Sequence, residues 1–186
     1  MKRISDITIS IFALIFFAIP MLLISLLIIT TSKGPIIYWS KRVGKNNKIF
    51  AMPKFRSMLV KTPDVATHLL KDHKNYLTPI GGILRHTSLD ELPQFFSVLK
   101  GDMSIVGPRP ALHNQKDLVE LRTIKKIHFL LPGITGLAQT SGRDDLSIID
   151  KVKFDEQYLV NKSLKLDFKI ILNTIFYIIK RKDISH

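Results

Sequence analysis

Twenty-six consecutive residues, Ile7 to Ser32, carry no charge and are dominated by Ile, Leu and Phe. A straight helix rising ~1.5 Å per residue would make this run ~39 Å long, enough for the hydrocarbon layer of a bilayer. A secretory leader fits poorly. The run is too long, no A-x-A-like site follows it, and Gly34-Pro35 opens directly into turn and strand signals. Pro20 sits near the middle. It lacks a backbone donor and its ring clashes with the carbonyl four residues earlier, so a membrane break is expected at Ile19-Pro20. Lys2 and Arg3 precede the run, and Lys33, Lys41, Arg42, Lys45 and Lys48 follow it. Basic flanks favour the cytoplasmic side, and here both ends call for it. A break at Pro20 satisfies both and leaves two half-helices of ~20 Å, each about one leaflet deep. The re-entrant form is therefore favoured, with a straight span and a buried core helix as alternatives. The chain then divides into 1–33, a helix-break-helix, and 34–186, a cytoplasmic domain.

Charge narrows the partners. Lys and Arg number 28 against 15 Asp and Glu, a net +13, while 46% of residues are hydrophobic. Basic and apolar together point to an anionic membrane face or phosphorylated substrates more than to nucleic acid. A nucleic-acid binder would interleave aromatics with its basic patches; only Tyr38, Trp39 and Phe55 come close. There is no cysteine, which excludes disulfides and thiolate metal sites.

Ile36 to Val43 is apolar and aromatic, Gly44 to Asn47 is turn-forming, and Lys48 to Phe55 resumes an extended pattern, which reads as a β-hairpin. Lys61 to Tyr76 reads as a helix with loose ends, and a further helix covers Asn114 to Phe129. Ser163 to Lys180 is amphipathic, with Leu164, Phe168, Ile171, Ile175 and Ile178 on one side and Lys180-Arg181-Lys182 at its end. It suits either the membrane interface or an ordinary core. The fold class expected is α+β: a monotopic membrane protein with a mostly helical cytoplasmic domain, one hairpin and interfacial amphipathic helices.

The sharpest constellation of chemical groups is Arg85-His86-Thr87-Ser88-Leu89-Asp90-Glu91-Leu92-Pro93-Gln94. A helix of about ten residues should run from near Asp90 to Leu99. Ser88 and Glu91 have capping-box spacing, which starts it at Ser88; starting at Asp90 puts Pro93 at a tolerated third position. Either register leaves Asp90 and Glu91 in the first turn. Successive helical side chains diverge by ~100°, so one carboxylate can face a reacting phosphorus while the other holds a hard cation. Acidic residues at helix starts are also common as simple caps. Three basic segments accompany the pair: Lys54-Phe55-Arg56-Ser57-Met58, Gly107-Pro108-Arg109-Pro110, and Gly133 to Gln139 with Gly142-Arg143. Each sets a cation beside rigid or small residues, an arrangement suited to phosphate.

In this order the segments resemble the monotopic phosphoglycosyl transferases, the bacterial sugar transferase family. The match runs from Lys2-Arg3 and Asp6 through the Pro20 segment, Gly34-Pro35, Tyr38, Arg42, Gly44 and Phe50. It continues through Lys54 to Met58, Arg85, Ser88 to Gln94 and Leu99 to Ser104. Val106 to Pro110, Pro132 to Gly136 and Gly142-Arg143 complete it. The length looks like the family's minimal catalytic domain. The resemblance implies a ping-pong transfer of sugar-1-phosphate from a UDP-sugar to polyprenol (undecaprenyl) phosphate, with UMP released. It implies Asp90 as covalent nucleophile, Glu91 with Asp90 as the Mg²⁺ site, and Lys54, Arg56, Arg85, Arg109 and Arg143 as phosphate-facing cations. The partners implied are the two substrates and anionic lipid of the bacterial inner membrane at its cytoplasmic face, with no nucleic acid; a homodimer is compatible. The family usually has Ser-Pro at the break, where this chain has Ile19-Pro20. It often has a Trp and a Glu-Lys run after Gly142-Arg143, where this chain reads Asp144 to Lys151. That difference bears on the sugar, which the sequence does not specify.

Overall fold

The apolar run folds as two helices, α1 (Lys2–Phe16) and α2 (Ala18–Thr31), bent by 59° in the computed structural model, which describes residues 1–63, 73–142 and 146–180. The break falls at Phe17, not at Ile19-Pro20 as expected. Pro20 cannot donate to the carbonyl of Phe16, so the ladder fails one turn upstream, and the proline itself sits in the first turn of α2, where no intrahelical acceptor is needed. No helix among the described residues is by itself long and apolar enough to cross a membrane; α1 and α2 reach that length and composition only as the bent pair.

The pair is docked on the rest of the chain by both polar and apolar contacts. Arg3 donates to the carbonyls of Val98 at 2.6 Å and Leu99 at 2.9 Å, in the last turn of α4 (Gln94–Lys100), where carbonyls have no donor four residues on within the helix. Buried Asp6 accepts from the Ser104 hydroxyl at 2.8 Å and the Ile105 amide at 3.1 Å. Lys2 reaches Asp167 at 2.7 Å. Ile24 and Ile28 of α2 share a core with Phe55, Leu84 and Leu92, so the helix pair and the body bury one another. Phe12, Ile15, Phe16, Ile19, Leu22, Leu23 and Leu26 stay exposed.

The hairpin forms where expected: β1 (Ile37–Val43) pairs antiparallel with β2 (Ile49–Phe55), in a register setting Tyr38 opposite Lys54. Asn46 and Asn47 take left-handed φ values of 56° and 58° in the connection, which asparagine tolerates better than most residues. α3 (Gly81–His86) leads to a single 3₁₀ turn, Leu89–Glu91, and then to α4. β3 (Ser104–Val106) and β4 (Gly133–Thr135) form a short parallel pair. Here Gly133 is required by closeness: a Cβ would lie 2.1 Å from the Gly107 amide nitrogen. The glycines of the 133–136 segment thus serve backbone packing against Gly107, since a Cβ on Gly136 would lie 2.2 Å from the Gly107 carbonyl oxygen.

The expected helix over 114–129 is interrupted. α5 (Lys116–Ile124) stops, Lys126 turns left-handed at φ 60°, and a 3₁₀ turn follows over Ile127–Phe129. Of the expected helix over 61–76, the 3₁₀ turn His73–Tyr76 is described, and residues 64–72 lie outside the described residues. α6 (Leu137–Ser141) precedes α7 (Ile148–Asn161), a helix the apolar pattern did not announce. Its start is marked chemically: the Ser147 hydroxyl accepts from the Asp150 amide and donates to its carboxylate. α8 (Leu164–Lys180) buries Asp167 and Ile170 and hydrogen-bonds Thr135 through Thr174. Leu164, Phe168, Ile175 and Ile178 remain exposed, so most of the stripe visible in the sequence faces away from the core. The side chains of the terminal Lys180-Arg181-Lys182 lie outside the described residues. Met52, Val98, Met103, Ile105, Val106, Tyr158 and Ile170 form a second core between hairpin, parallel pair and C-terminal helices.

Candidate active site

Ser88 adopts a left-handed φ of 57°, uncommon for a residue with a Cβ, and so reverses the chain between α3 and the 3₁₀ turn. Its side chain makes no capping bond. The capping box and the first-turn placement of Asp90 and Glu91 are therefore both corrected: the two carboxylates occupy a 3₁₀ turn ahead of α4. Pro93 is the residue that starts α4, which removes the conflict between a mid-helix proline and a long helix.

The turn buries Asp90, 6% exposed, and leaves Glu91 half-buried. Lys54, next to last in β2, sends Nζ to 2.6 Å from Glu91 Oε1 and 3.9 Å from Asp90 Oδ2. Arg109 Nη2 reaches the same Glu91 oxygen at 3.0 Å. Both cations thus converge on one oxygen of Glu91. Arg85, in the last turn of α3, touches Met58 Sδ at 3.3 Å through Nη1 and adds its charge to the field at Asp90. The sequence separates these residues by up to 55 positions, Lys54 to Arg109; the fold brings Lys54, Arg85 and Arg109 to one carboxylate pair.

The two carboxyls are driven apart electrostatically. Burial pushes Asp90 up to about 6; Lys54 opposes this, Glu91 adds to it, and Arg85 and Arg109 oppose it. Burial also pushes Glu91 up, but Arg109 and Lys54 outweigh it with charge and hydrogen bonds and hold the group well below the usual carboxylate range. One member is a permanent ion-paired anion, the other a desolvated and more basic carboxylate. That division is what paired acid groups need in order to perform different tasks.

Arg56 has another occupation. It is 4% exposed, donating Nε to the Pro35 carbonyl at 2.6 Å and Nη2 to the Ser32 carbonyl at 3.0 Å, so it ties β2 to the exit of α2 and pairs with neither carboxylate. Arg143 lies outside the described residues. Among the described residues no group of three or more His, Cys, Asp or Glu forms a metal cage. Asp90 and Glu91 nonetheless suit Mg²⁺: it takes hard oxygen donors and is commonly held by one or two carboxylates together with substrate phosphates. Neither Lys54 nor Arg109 engages the second oxygen of Glu91 in these contacts.

Two residues that sequence reasoning passed over also belong here. Arg122 of α5 donates to the Arg109 carbonyl at 2.8 Å, and its Nε and Nη2 reach Asp155 Oδ2 of α7 at 2.9 and 2.6 Å. Nothing local to either residue signals this pairing across 33 positions.

Comparison with known proteins agrees with the resemblance. A family model described as bacterial sugar transferase matches residues 1–181. The chain is 39% identical, over 97% of its length, to the undecaprenyl-phosphate galactose phosphotransferase of Salmonella typhimurium, covering 41% of that protein. It is 41% identical, over 94% of its length, to the UDP-glucose:undecaprenyl-phosphate glucose-1-phosphate transferase of Klebsiella pneumoniae, covering 39% of it. The exopolysaccharide production protein ExoY of Rhizobium meliloti is 36% identical, with 94% of this chain aligned to 83% of that protein. The chain therefore spans about two fifths of the length of the Salmonella and Klebsiella relatives and most of ExoY. With nearly every residue matched, the chain belongs to the bacterial sugar transferase family.

Proposed function

We propose that this chain transfers a sugar-1-phosphate from a UDP-sugar to undecaprenyl phosphate, releasing UMP, as a first membrane step of a bacterial polysaccharide or glycoconjugate pathway. The activities named for the Salmonella and Klebsiella relatives support the reaction class. The observation that carries the reading is the asymmetric pair: a buried Asp90 pushed up to about 6 beside a Glu91 pinned by Lys54 and Arg109.

An Asp90 carboxylate oxygen bonds to the sugar-side phosphorus of the diphosphate. The bond from that phosphorus to the bridging oxygen breaks, and UMP leaves with the oxygen and its electron pair. A phosphate oxygen of undecaprenyl phosphate then attacks the same phosphorus. The Asp90–phosphorus bond breaks, restoring the carboxylate and giving undecaprenyl-diphosphate-sugar. A group with pKa about 6 is mostly ionised at neutral pH, yet burial has stripped it of the water that would blunt its attack. Lys54, Arg85 and Arg109 set positive charge around the phosphorus without any rearrangement. Asp90 and Glu91 would hold Mg²⁺, which when bound supplies charge against the diphosphate oxygens. The exposed apolar faces of α1, α2 and α8 favour a seat in the cytoplasmic leaflet, with the net +13 attracting anionic lipid. There a soluble donor and a lipid acceptor can meet.

The test is a panel of UDP-sugars with undecaprenyl phosphate, read as nucleotide release by wild type and Asp90→Asn. UMP from wild type alone is expected, with a phosphosugar adduct on the intact protein when acceptor is withheld. Release of UDP would instead indicate transfer of the bare sugar.

A further inference from the structure

The loop that carries Arg109 lies between two prolines, which have no amides with which to anchor it. Four successive carbonyls are held from outside instead. Pro108 accepts from the Gly133 amide at 2.9 Å, Arg109 from Arg122 Nη1 at 2.8 Å, Pro110 from Arg42 Nη1 at 3.1 Å, and Ala111 from the Val43 amide at 2.9 Å. Of these donors, Arg122 alone grips the residue whose side chain reaches Glu91. It is held in turn by two bonds to one oxygen of Asp155, and the side chains of this pair are 11% and 2% exposed.

A buried ion pair adds little net stability, because desolvation offsets most of its attraction. Its effect here is geometric. Asp155 removes the rotational freedom of the Arg122 guanidinium, whose planar fork then has one nitrogen left for the Arg109 carbonyl. α7 and α5 are thereby linked through one backbone oxygen to the contact between Arg109 Nη2 and Glu91 Oε1.

We infer that Arg122, aligned by Asp155, is a positioning residue that sets the backbone from which Arg109 meets Glu91. Its catalytic consequence rests on the function proposed above; its structural consequence does not. The variant that tests it is Arg122→Met with Asp155→Leu, which removes the carbonyl donor while leaving no unpaired charge in the interior. Arg122→Lys, which keeps the charge but loses the fork, serves as a second variant should the first fail to fold.

Two readouts are taken on the full chain. The first is hydrogen exchange in the peptide spanning 107–112, expected to quicken by about tenfold or more while the β1–β2 peptides keep their rate. The second is kcat/KM for UMP release, expected to fall by about 10- to 100-fold, the scale of a small misplacement at a reacting centre. In an Arg109→Ala background the same variant should add less than about twofold, because its route of action is already gone. Losses that multiply in that background, or exchange at 107–112 that does not change, overturn the inference. Absence of UMP release from the wild type overturns the proposed function instead, and exchange alone then decides the positioning role.

Discussion

Lys54 Nζ lies 2.6 Å from Glu91 Oε1, and the register of the hairpin brings it there: Lys54 pairs with Tyr38 at the open end of β1 and β2, facing the turn that follows α3. The same ammonium is 3.9 Å from Asp90 Oδ2. One cation thus serves two carboxylates unequally. Glu91, closer and also paired with Arg109, is held ionised, while Asp90 remains under the influence of burial and is pushed up.

Replacing Asp90 by Asn should have opposite effects on activity and stability. UMP release should fall by at least about 10³-fold, because an amide cannot form the covalent intermediate proposed above. Asp90 has a pKa of about 6 in the fold against 3.8 for an aspartate in water, so folding disfavours its ionised form, most fully above pH 6. At pH 7 to 8 the variant should be more stable by about 1–3 kcal/mol. Between pH 6 and 4 that advantage should shrink as the wild-type carboxyl takes up its proton. Thermal unfolding of both proteins across pH 4 to 8 checks this; a variant less stable at pH 8 would contradict the burial argument.

Activity should decline as pH falls through about 6, where Asp90 becomes protonated. Lys54 lowers the Asp90 value, so Lys54→Met should move this acidic limb to higher pH as well as reduce the rate. The measurement is a pH profile of kcat/KM for wild type and variant. A limb shifted to lower pH would show that Lys54 does not act on Asp90 as a charge.

Glu91→Gln keeps the shape of the side chain but removes the anion that Lys54 and Arg109 share. Activity should fall by about 100-fold or more, and the Mg²⁺ concentration needed for half-maximal rate should rise severalfold. An unchanged Mg²⁺ titration would remove Glu91 from the proposed metal site.

The bend at Phe17 should control how the N-terminal pair enters a bilayer. The chain has no natural cysteine, so single cysteines at exposed Met1 and Lys33 can be labelled from either face of bacterial inner-membrane vesicles. Both should react from the cytoplasmic face. Pro20→Ala restores the missing donor to the Phe16 carbonyl and should move the Met1→Cys label toward the opposite face. Labelling of the two positions from opposite faces in the otherwise unaltered chain would establish a span.

Much of the candidate site was legible because its chemistry is local in sequence. Asp90 and Glu91 adjoin, and Lys54, Arg85 and Arg109 each sit in a short motif with proline, glycine or a strand end beside them. The hairpin was legible for the same reason, since period-two alternation and an Asn-rich connection are short-range signals. Arg56 shows the limit. Its motif marks it as another phosphate-facing cation, but the packing of α2 against β2 presents it with the carbonyls of Ser32 and Pro35. α7 was missed because its apolar positions are sparse, although the serine cap at its start was available as a signal.

The sequence alone determined that this chain has an apolar helical run interrupted by a proline, a hairpin and an amphipathic C-terminal helix, because each depends on residues within a few turns of one another. Tertiary structure decided where the helix breaks, that the acidic pair occupies a 3₁₀ turn, which cations reach it, and that Arg122 and Asp155 hold the loop of Arg109. Those outcomes depend on close approach and burial between segments distant in the chain, where charge pairing and desolvation act through space and leave no spacing to read.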